Sequence, residues 1–253
     1  MLGLGVSASK GGLATPGIVT DSLVLKHNYA AGGVSLVSDG AAFFDGTDDY
    51  ILVADASNLS FGDSSNDSAF SISAWVNMTD ATSFPIISKG LYNSTGEYQF
   101  GVDSSDKLCL EFYDESVDDT LEKSCTTAVV TAYEGVWTHI CATYNGVGGT
   151  SANAGIIIYI NGVSQALSLS GAGTYVAMEN LAANVHIGRY SGAYAGGYIC
   201  NVGVWSAALT QAQIKSIMWK NYAGLDSTTN LVSWWNLSAN ANDDHGSHNG
   251  TLT

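Results

Sequence analysis

The chain has 253 residues, enough for one large β domain or at most two small ones, with 46% apolar and only 12% charged residues, about half the usual charged share. Its 8 Lys and Arg against 23 Asp and Glu leave a net charge of −15, which repels phosphate backbones and excludes nucleic-acid binding. With 29 Gly, 2 Pro and 6 Trp it is neither collagen-like nor Pro-rich, and its apolar content requires a packed fold.

Met1 to Lys10 lacks the basic start and apolar block of a secretory leader. No apolar run reaches the ~18–20 residues of a membrane span. The sequence therefore predicts a chain made in the cytoplasm, with no membrane partner. Residues 1–22 read as a docking arm. Leu23–Tyr29 echoes Leu231–Leu237, and the two read as edge strands of one sandwich. Phe70, Ile72, Ala74 and Val76 alternate with Ser71, Ser73 and Trp75, which predicts a strand with one buried face. Tyr98–Val102, Lys107–Tyr113, Trp137–Tyr144, Gly155–Ile160, Val185–Gly188 and Tyr198–Trp205 read the same way. Asn161-Gly162 after IIIYI is a hairpin signal. Helical spacing is confined to Leu209–Tyr222, with Thr210 as N-cap and Ile214, Ile217 and Met218 on one face. Residues 226–253 form a polar tail carrying Trp234-Trp235, one ring inward and one outward, the outward ring facing a neighbouring subunit. Many short strands with turn signals between them predict an all-β, antiparallel two-sheet sandwich.

Cys109, Cys125, Cys141 and Cys200 do not fall at zinc-site spacing. They read as buried free thiols, with a Cys109–Cys125 bridge across a hairpin as the alternative.

Several segments resemble, in family order, laminin-G-like domains of the concanavalin A-like jelly-roll type. They are FFDGTDDYI (43–51), FSISAWVNM (70–78), IISKG (86–90), GVWTHI (135–140), IIIYINGV (156–163), VHIG (185–188) and the closing run from Gly196 to Leu209. The resemblance covers about residues 40–222 and implies a jelly-roll domain over 23–225. Where the family often carries Ile-Asp, this chain has Ile199-Cys200-Asn201, so a carboxylate is missing. LVSWWNLSANANDDHGSHNGTLT resembles the segment that normally precedes the first motif, as in a circular rearrangement. That implies that 226–253 packs on the same sandwich. With the arm sequence, the whole chain resembles structural proteins of marine tailed phages.

Catalytic arrangements do not emerge. Glycoside hydrolases of this fold place carboxylates on alternate positions of one strand. Here Tyr113 takes the middle slot, and Asp114 faces away from Glu111. His139 and His186 read as packed or hydrogen-bonded, and Asp118-Asp119 and Asp243-Asp244 as solvated loops. Asp45, Asp48 and Asp49 could supply part of a Ca²⁺ site, as relatives of this fold do near this motif; the competing reading is a solvated turn capped by Asp45. Tyr190, Tyr194 and Tyr198 in YSGAYAGGY read as a glycan-stacking surface.

The sequence thus predicts a non-enzymatic, homo-oligomeric virion structural protein of a tailed phage, bound to other virion proteins through its terminal arms and touching host glycans. The alternative is a Ca²⁺-assisted carbohydrate-binding module of a bacterial surface or secreted protein.

Overall fold

The computed structural model describes residues 40–91, 94–117 and 120–253. The arm expected over 1–22 and the strand expected at 23–29 lie outside the described residues. In chain order the elements are β1 (Ala42–Asp45), β2 (Ile51–Val53), β3 (Phe70–Met78), β4 (Pro85–Lys89), β5 (Tyr98–Val102), β6 (Leu108–Asp114), β7 (Thr120–Thr126), β8 (Thr138–Tyr144) and β9 (Ile156–Ile160). They continue with β10 (Val163–Ser164), β11 (Leu167–Gly171), β12 (Val185–Ile187), β13 (Arg189–Tyr190), β14 (Ala193–Tyr194), β15 (Gly196–Trp205), α1 (Gln211–Ile217), β16 (Leu231–Trp235) and β17 (Gly250–Leu252).

Two antiparallel sheets face each other. One has seven strands in the order β1-β15-β3-β8-β9-β10, with β16 also on β15. The other has eight, in the order β11-β7-β6-β5-β4-β12-β2-β17. Both C-terminal strands therefore belong to the sandwich: β16 aligns Trp234 with Gly203, and β17 aligns Thr251 with Leu52.

Alternation decides which side chains fill the space between the sheets. From β3 these are Phe70, Ile72, Ala74 and Val76; from β6, Leu108, Leu110 and Phe112; from β8, Ile140, Ala142 and Tyr144. Aromatic rings form the centre. Phe61 stacks on Phe70 at 4.3 Å, and Phe112 meets Tyr144 at 4.5 Å. Each fully buried ring of this size contributes roughly 2–3 kcal/mol from surface removed from water.

A smaller core lies on the outer face of the seven-stranded sheet. There α1 covers Cys141, Tyr159, Trp205 and Trp234 with Leu209 and Ile214. Thr210 and Gln213 close a capping box at the helix start. The outward ring of β16 is thus not left for a neighbouring subunit. Trp234 is buried edge-on against Trp205 at 5.9 Å, because α1 roofs that face.

The irregular stretch 172–184 is held by carboxylates that accept backbone N–H groups, which would otherwise be buried without partners. Asp114 takes Val176 at 2.8 Å, Asp67 takes Met178 at 2.9 Å and Glu97 takes Leu181 at 2.9 Å. Burial raises the carboxyl of Glu97 to about 7, although the neighbouring Lys89 ammonium, 3.4 Å away, pulls it down.

Two expectations are corrected here. Cys109 and Cys125 are directly opposite on β6 and β7 and form a disulfide, which leaves Cys141 and Cys200 as buried thiols. The register brings the two sulfurs together, so for this pair the hairpin bridge holds and the free-thiol reading does not. Closing this loop contributes ~3 kcal/mol by chain entropy. Asp243 is not solvated either: it is buried and accepts N–H groups from Trp234 at 3.0 Å, His245 at 3.0 Å and His248 at 3.1 Å. Denatured without reductant, the chain should show two titratable thiols; four would contradict the Cys109–Cys125 bond.

Candidate functional site

The register of the eight-stranded sheet sets one straight row of outward side chains across it. Lys123 of β7 is opposite Glu111 of β6, Glu111 opposite Gln99 of β5, and Gln99 opposite Ser88 of β4. Ser88 is opposite His186 of β12. The inward neighbours of these residues fill the main core, so alternation forces the polar ones onto the outer face.

The row is tightly bonded at one end. Glu111 accepts the Tyr113 hydroxyl proton at 2.6 Å and the Lys123 ammonium at 3.0 Å. Lys123 also lies 3.8 Å from Asp103. Toward the other end the row is underbonded: Gln99 Oε1 and His186 Nδ1 are buried with no hydrogen-bond partner among the described residues. Burial, with the Arg189 charge beside it, lowers the His186 imidazole to about 4, so it is neutral at pH 7. His139, on the outer face of the other sheet, is likewise lowered to about 3 by burial alone.

The β13–β14 hairpin overhangs this row. Its Arg189–Tyr194 pairing places Ser191 and Gly192 in the turn, and Ser191 takes φ 51°. Tyr190 stacks on Tyr113 with centroids 6.1 Å apart and planes at 21°. Tyr194 turns the other way, toward Tyr50, with the Arg189 guanidinium 4.7 Å from the Tyr50 centroid and 5.6 Å from that of Tyr194. Between hairpin and sheet is a cleft of about 330 Å³ lined by Gln99, Glu111, Asp103, Ser104, Tyr190 and Ser191, among others.

The three tyrosines expected to form one surface are therefore divided. Tyr190 borders the cleft and Tyr194 is engaged with Arg189 and Tyr50. Tyr198 is on β15, in the other sheet. There it meets Phe43 at 5.1 Å and Trp137 at 6.1 Å, and all three rings are exposed. Phe43 and Asp45 alternate onto the same face of β1, opposite Tyr198 and Gly196. Asp45, Asp48 and Asp49 bring carboxylate oxygens within 4.8 Å of one another. Asp45 Oδ1 is occupied by the Thr47 N–H at 2.7 Å, and Asp49 Oδ2 by the Asp45 N–H at 3.1 Å. The turn cap and a metal-ligating role are compatible, because among the described residues Asp45 Oδ2, Asp49 Oδ1 and both oxygens of Asp48 accept no hydrogen bond. Asn201, which replaces the family carboxylate, is at φ 49° and buried in the bulge of β15.

A larger cavity of about 590 Å³ lies at the sandwich end, with His245 and His248 on its wall. Ser233, His248 and Asp243 are in contact there, but both Ser233 Oγ (2.6 Å) and Asp243 Oδ2 (3.1 Å) meet the same ring atom, Nδ1. A proton relay needs the serine and the carboxylate on opposite ring nitrogens, so this trio anchors the tail turn and does not form a nucleophile.

Sequence reasoning missed Gln99, Phe43 and Trp137. The alternation of Gln99 with Tyr98 and Phe100 was visible, but its alignment with Glu111 depends on register between strands.

The profile of the concanavalin A-like lectin/glucanases superfamily, of the laminin-G type, matches residues 45–215. Among solved structures, the chain is similar to a candidate carbohydrate-binding protein from Bacteroides ovatus ATCC 8483. The match has 20% identity and a TM-score of 0.52, and covers 84% of this chain and 57% of that one. It is also similar to the heptameric SAP-like pentraxin of Limulus polyphemus, with 16% identity, a TM-score of 0.42 and coverage of 81% and 94%. A third is domain 4 of AbnA, a GH43 extracellular arabinanase from Geobacillus stearothermophilus, with 18% identity, a TM-score of 0.41 and coverage of 61% and 68%. No curated protein matches. At such identities structural likeness speaks to fold alone, and the match at a TM-score of 0.52 agrees with the two-sheet topology. With more than half of its length matched in sequence, the chain belongs to the laminin-G-like branch of the concanavalin A-like lectin/glucanases superfamily.

Proposed function

We propose that this chain is a non-catalytic carbohydrate-recognition domain whose sugar site is the cleft between the β13–β14 hairpin and the outer face of the eight-stranded sheet. The observation that carries this reading is the convergence in one cleft of the Gln99 amide, the Glu111 carboxylate and the Tyr190 ring. A sugar offers vicinal hydroxyls, which planar amide and carboxylate groups accept, and an apolar face, which an aromatic ring covers.

The non-catalytic part rests on the neighbours of Glu111. Retaining glycosidases need a second carboxylate about 5–5.5 Å away, free to act as acid or nucleophile. The other carboxylate of the cleft is Asp103, and the Lys123 ammonium lies between the two, 3.0 Å from Glu111 and 3.8 Å from Asp103, pairing with both. The phenol and the Lys123 ammonium bind the two Glu111 oxygens. On an array of oligosaccharides the intact chain should bind without hydrolysing them, and Gln99→Ala and Tyr190→Ala should each weaken binding about tenfold or more by calorimetry. Unchanged affinity in both variants would overturn this assignment of the site.

Ca²⁺ fits the Asp45, Asp48 and Asp49 oxygens that the turn leaves free, with carbonyls and water completing its six to eight ligands. Bound there, it would neutralise three crowded carboxylates and fix the β1–β2 turn. Chelation should then lower the melting temperature, and Asp48→Asn should remove that shift; no shift on chelation would remove the metal.

The setting is a tailed-phage particle, supported by the likeness of the arm and tail segments to such structural proteins. The Cys109–Cys125 bond supports a working environment outside the reducing cytoplasm, reached on release of the particle. Immunogold should label heads or tail fibres in particle preparations. Label confined to bacterial cells or medium would favour the secreted binding module.

A further inference from the structure

On the other side of the sandwich, the seven-stranded sheet leaves one patch uncovered where α1 ends its roof. Phe43, Trp137 and Tyr198 are 57%, 43% and 43% exposed, and Val136 beside Trp137 is 52% exposed. The register explains the grouping. Phe43 on β1 is opposite Tyr198 on β15, and Tyr198 is opposite Asn77 on β3. Trp137 immediately precedes β8, which pairs with β3. Asn77 donates to the Gly135 carbonyl at 3.4 Å, tying the Trp137 turn to this row.

Among the described residues, no element covers these rings. Large aromatic side chains held on rigid strands and left in water are typical of interaction surfaces. The surroundings say which kind of surface. Asp45, Asp48 and Asp49 border the patch beside Phe43, and the exposed Glu134 borders it beside Trp137. None of the chain's Lys or Arg falls within 42–49, 134–137 or 196–199. Two copies meeting through this surface would oppose like charges, on a chain that already carries −15.

We infer that this patch is a docking surface for a basic segment of another polypeptide. Arg or Lys side chains of the partner would lie over the Trp137, Tyr198 and Phe43 rings and reach the acidic rim. An aromatic face attracts a guanidinium through its quadrupole, and the flanking carboxylates add charge-assisted hydrogen bonds. The inference is independent of the sugar reading, since cleft and patch are on different sheets.

The probe is a fluorescein-labelled hexa-arginine peptide titrated into the intact chain in EDTA, so that no Ca²⁺ competes for the acidic rim. Binding should weaken with salt. Trp137→Gln and Tyr198→Ser should each weaken it about threefold to tenfold, with circular dichroism unchanged. Asp48→Asn should flatten the salt dependence; its carboxylate accepts no hydrogen bond from the described residues, and Asp45 holds the turn cap. Because Trp137 precedes its strand, Trp137→Gln carries the test if Tyr198→Ser melts early. Equal affinity of Trp137→Gln and the parent would overturn the proposal, leaving only diffuse attraction to an acidic protein. Two other results would also overturn it: a parent dimer that Trp137→Gln splits, which would assign the patch to a second copy, or loss of sugar binding in Trp137→Gln.

Discussion

The structure depends on one constraint: successive residues of a strand point to opposite sides, and the space between the two sheets must be filled without gaps. Phe70 shows the consequence. Its ring touches Phe61, Tyr98, Phe112 and Tyr144 at 4.3–5.9 Å, drawing on both sheets and on the loop before β3. Once these rings are inside, the register of β3, β5, β6 and β8 is set, because a slip of one residue would exchange them for Gln99, Glu111 and His139. The same packing that stabilises the sandwich thus aligns the outward chemistry.

The two outer faces carry different side chains. On the seven-stranded sheet, α1 adds a second small core around Trp205 and Trp234, and an aromatic patch with an acidic border is left past its end. On the eight-stranded sheet the outward residues form a polar row overhung by a short hairpin. Lys123, Glu111 and Tyr113 satisfy one another there, so the row is preorganised at that end and open at Gln99 and His186. The Glu111 oxygens are already engaged, and this engagement is what the non-catalytic proposal rests on.

Much of the framework was legible in the sequence because its signals are local. The alternation in 70–76, the Asn161-Gly162 turn (φ 50° and 71°) and the Thr210 cap each specify their own element. The site was less legible, because it arises from pairing between distant segments. YSGAYAGGY looks like one tyrosine cluster, but the turn at Ser191-Gly192 and the return of the chain into the other sheet send its three rings to three environments. Cys109 and Cys125 meet, and Gln99 reaches Glu111, only through cross-strand register. Trp234 looked free because its cover, α1, comes from elsewhere in the chain. The acidic turn at Asp45–Asp49 was visible as three carboxylates, whereas its position beside Phe43 and Tyr198 follows from the pairing of β1 with β15.

Amide chemical-shift mapping with the tightest-binding glycan from an array tests the central claim most directly. The account predicts shifts concentrated at Gln99, Glu111 and residues 190–193, with Phe43, Trp137, Tyr198 and the turn 245–248 unmoved. Shifts centred on the aromatic patch or on the His245–His248 cavity, with the hairpin silent, would contradict it.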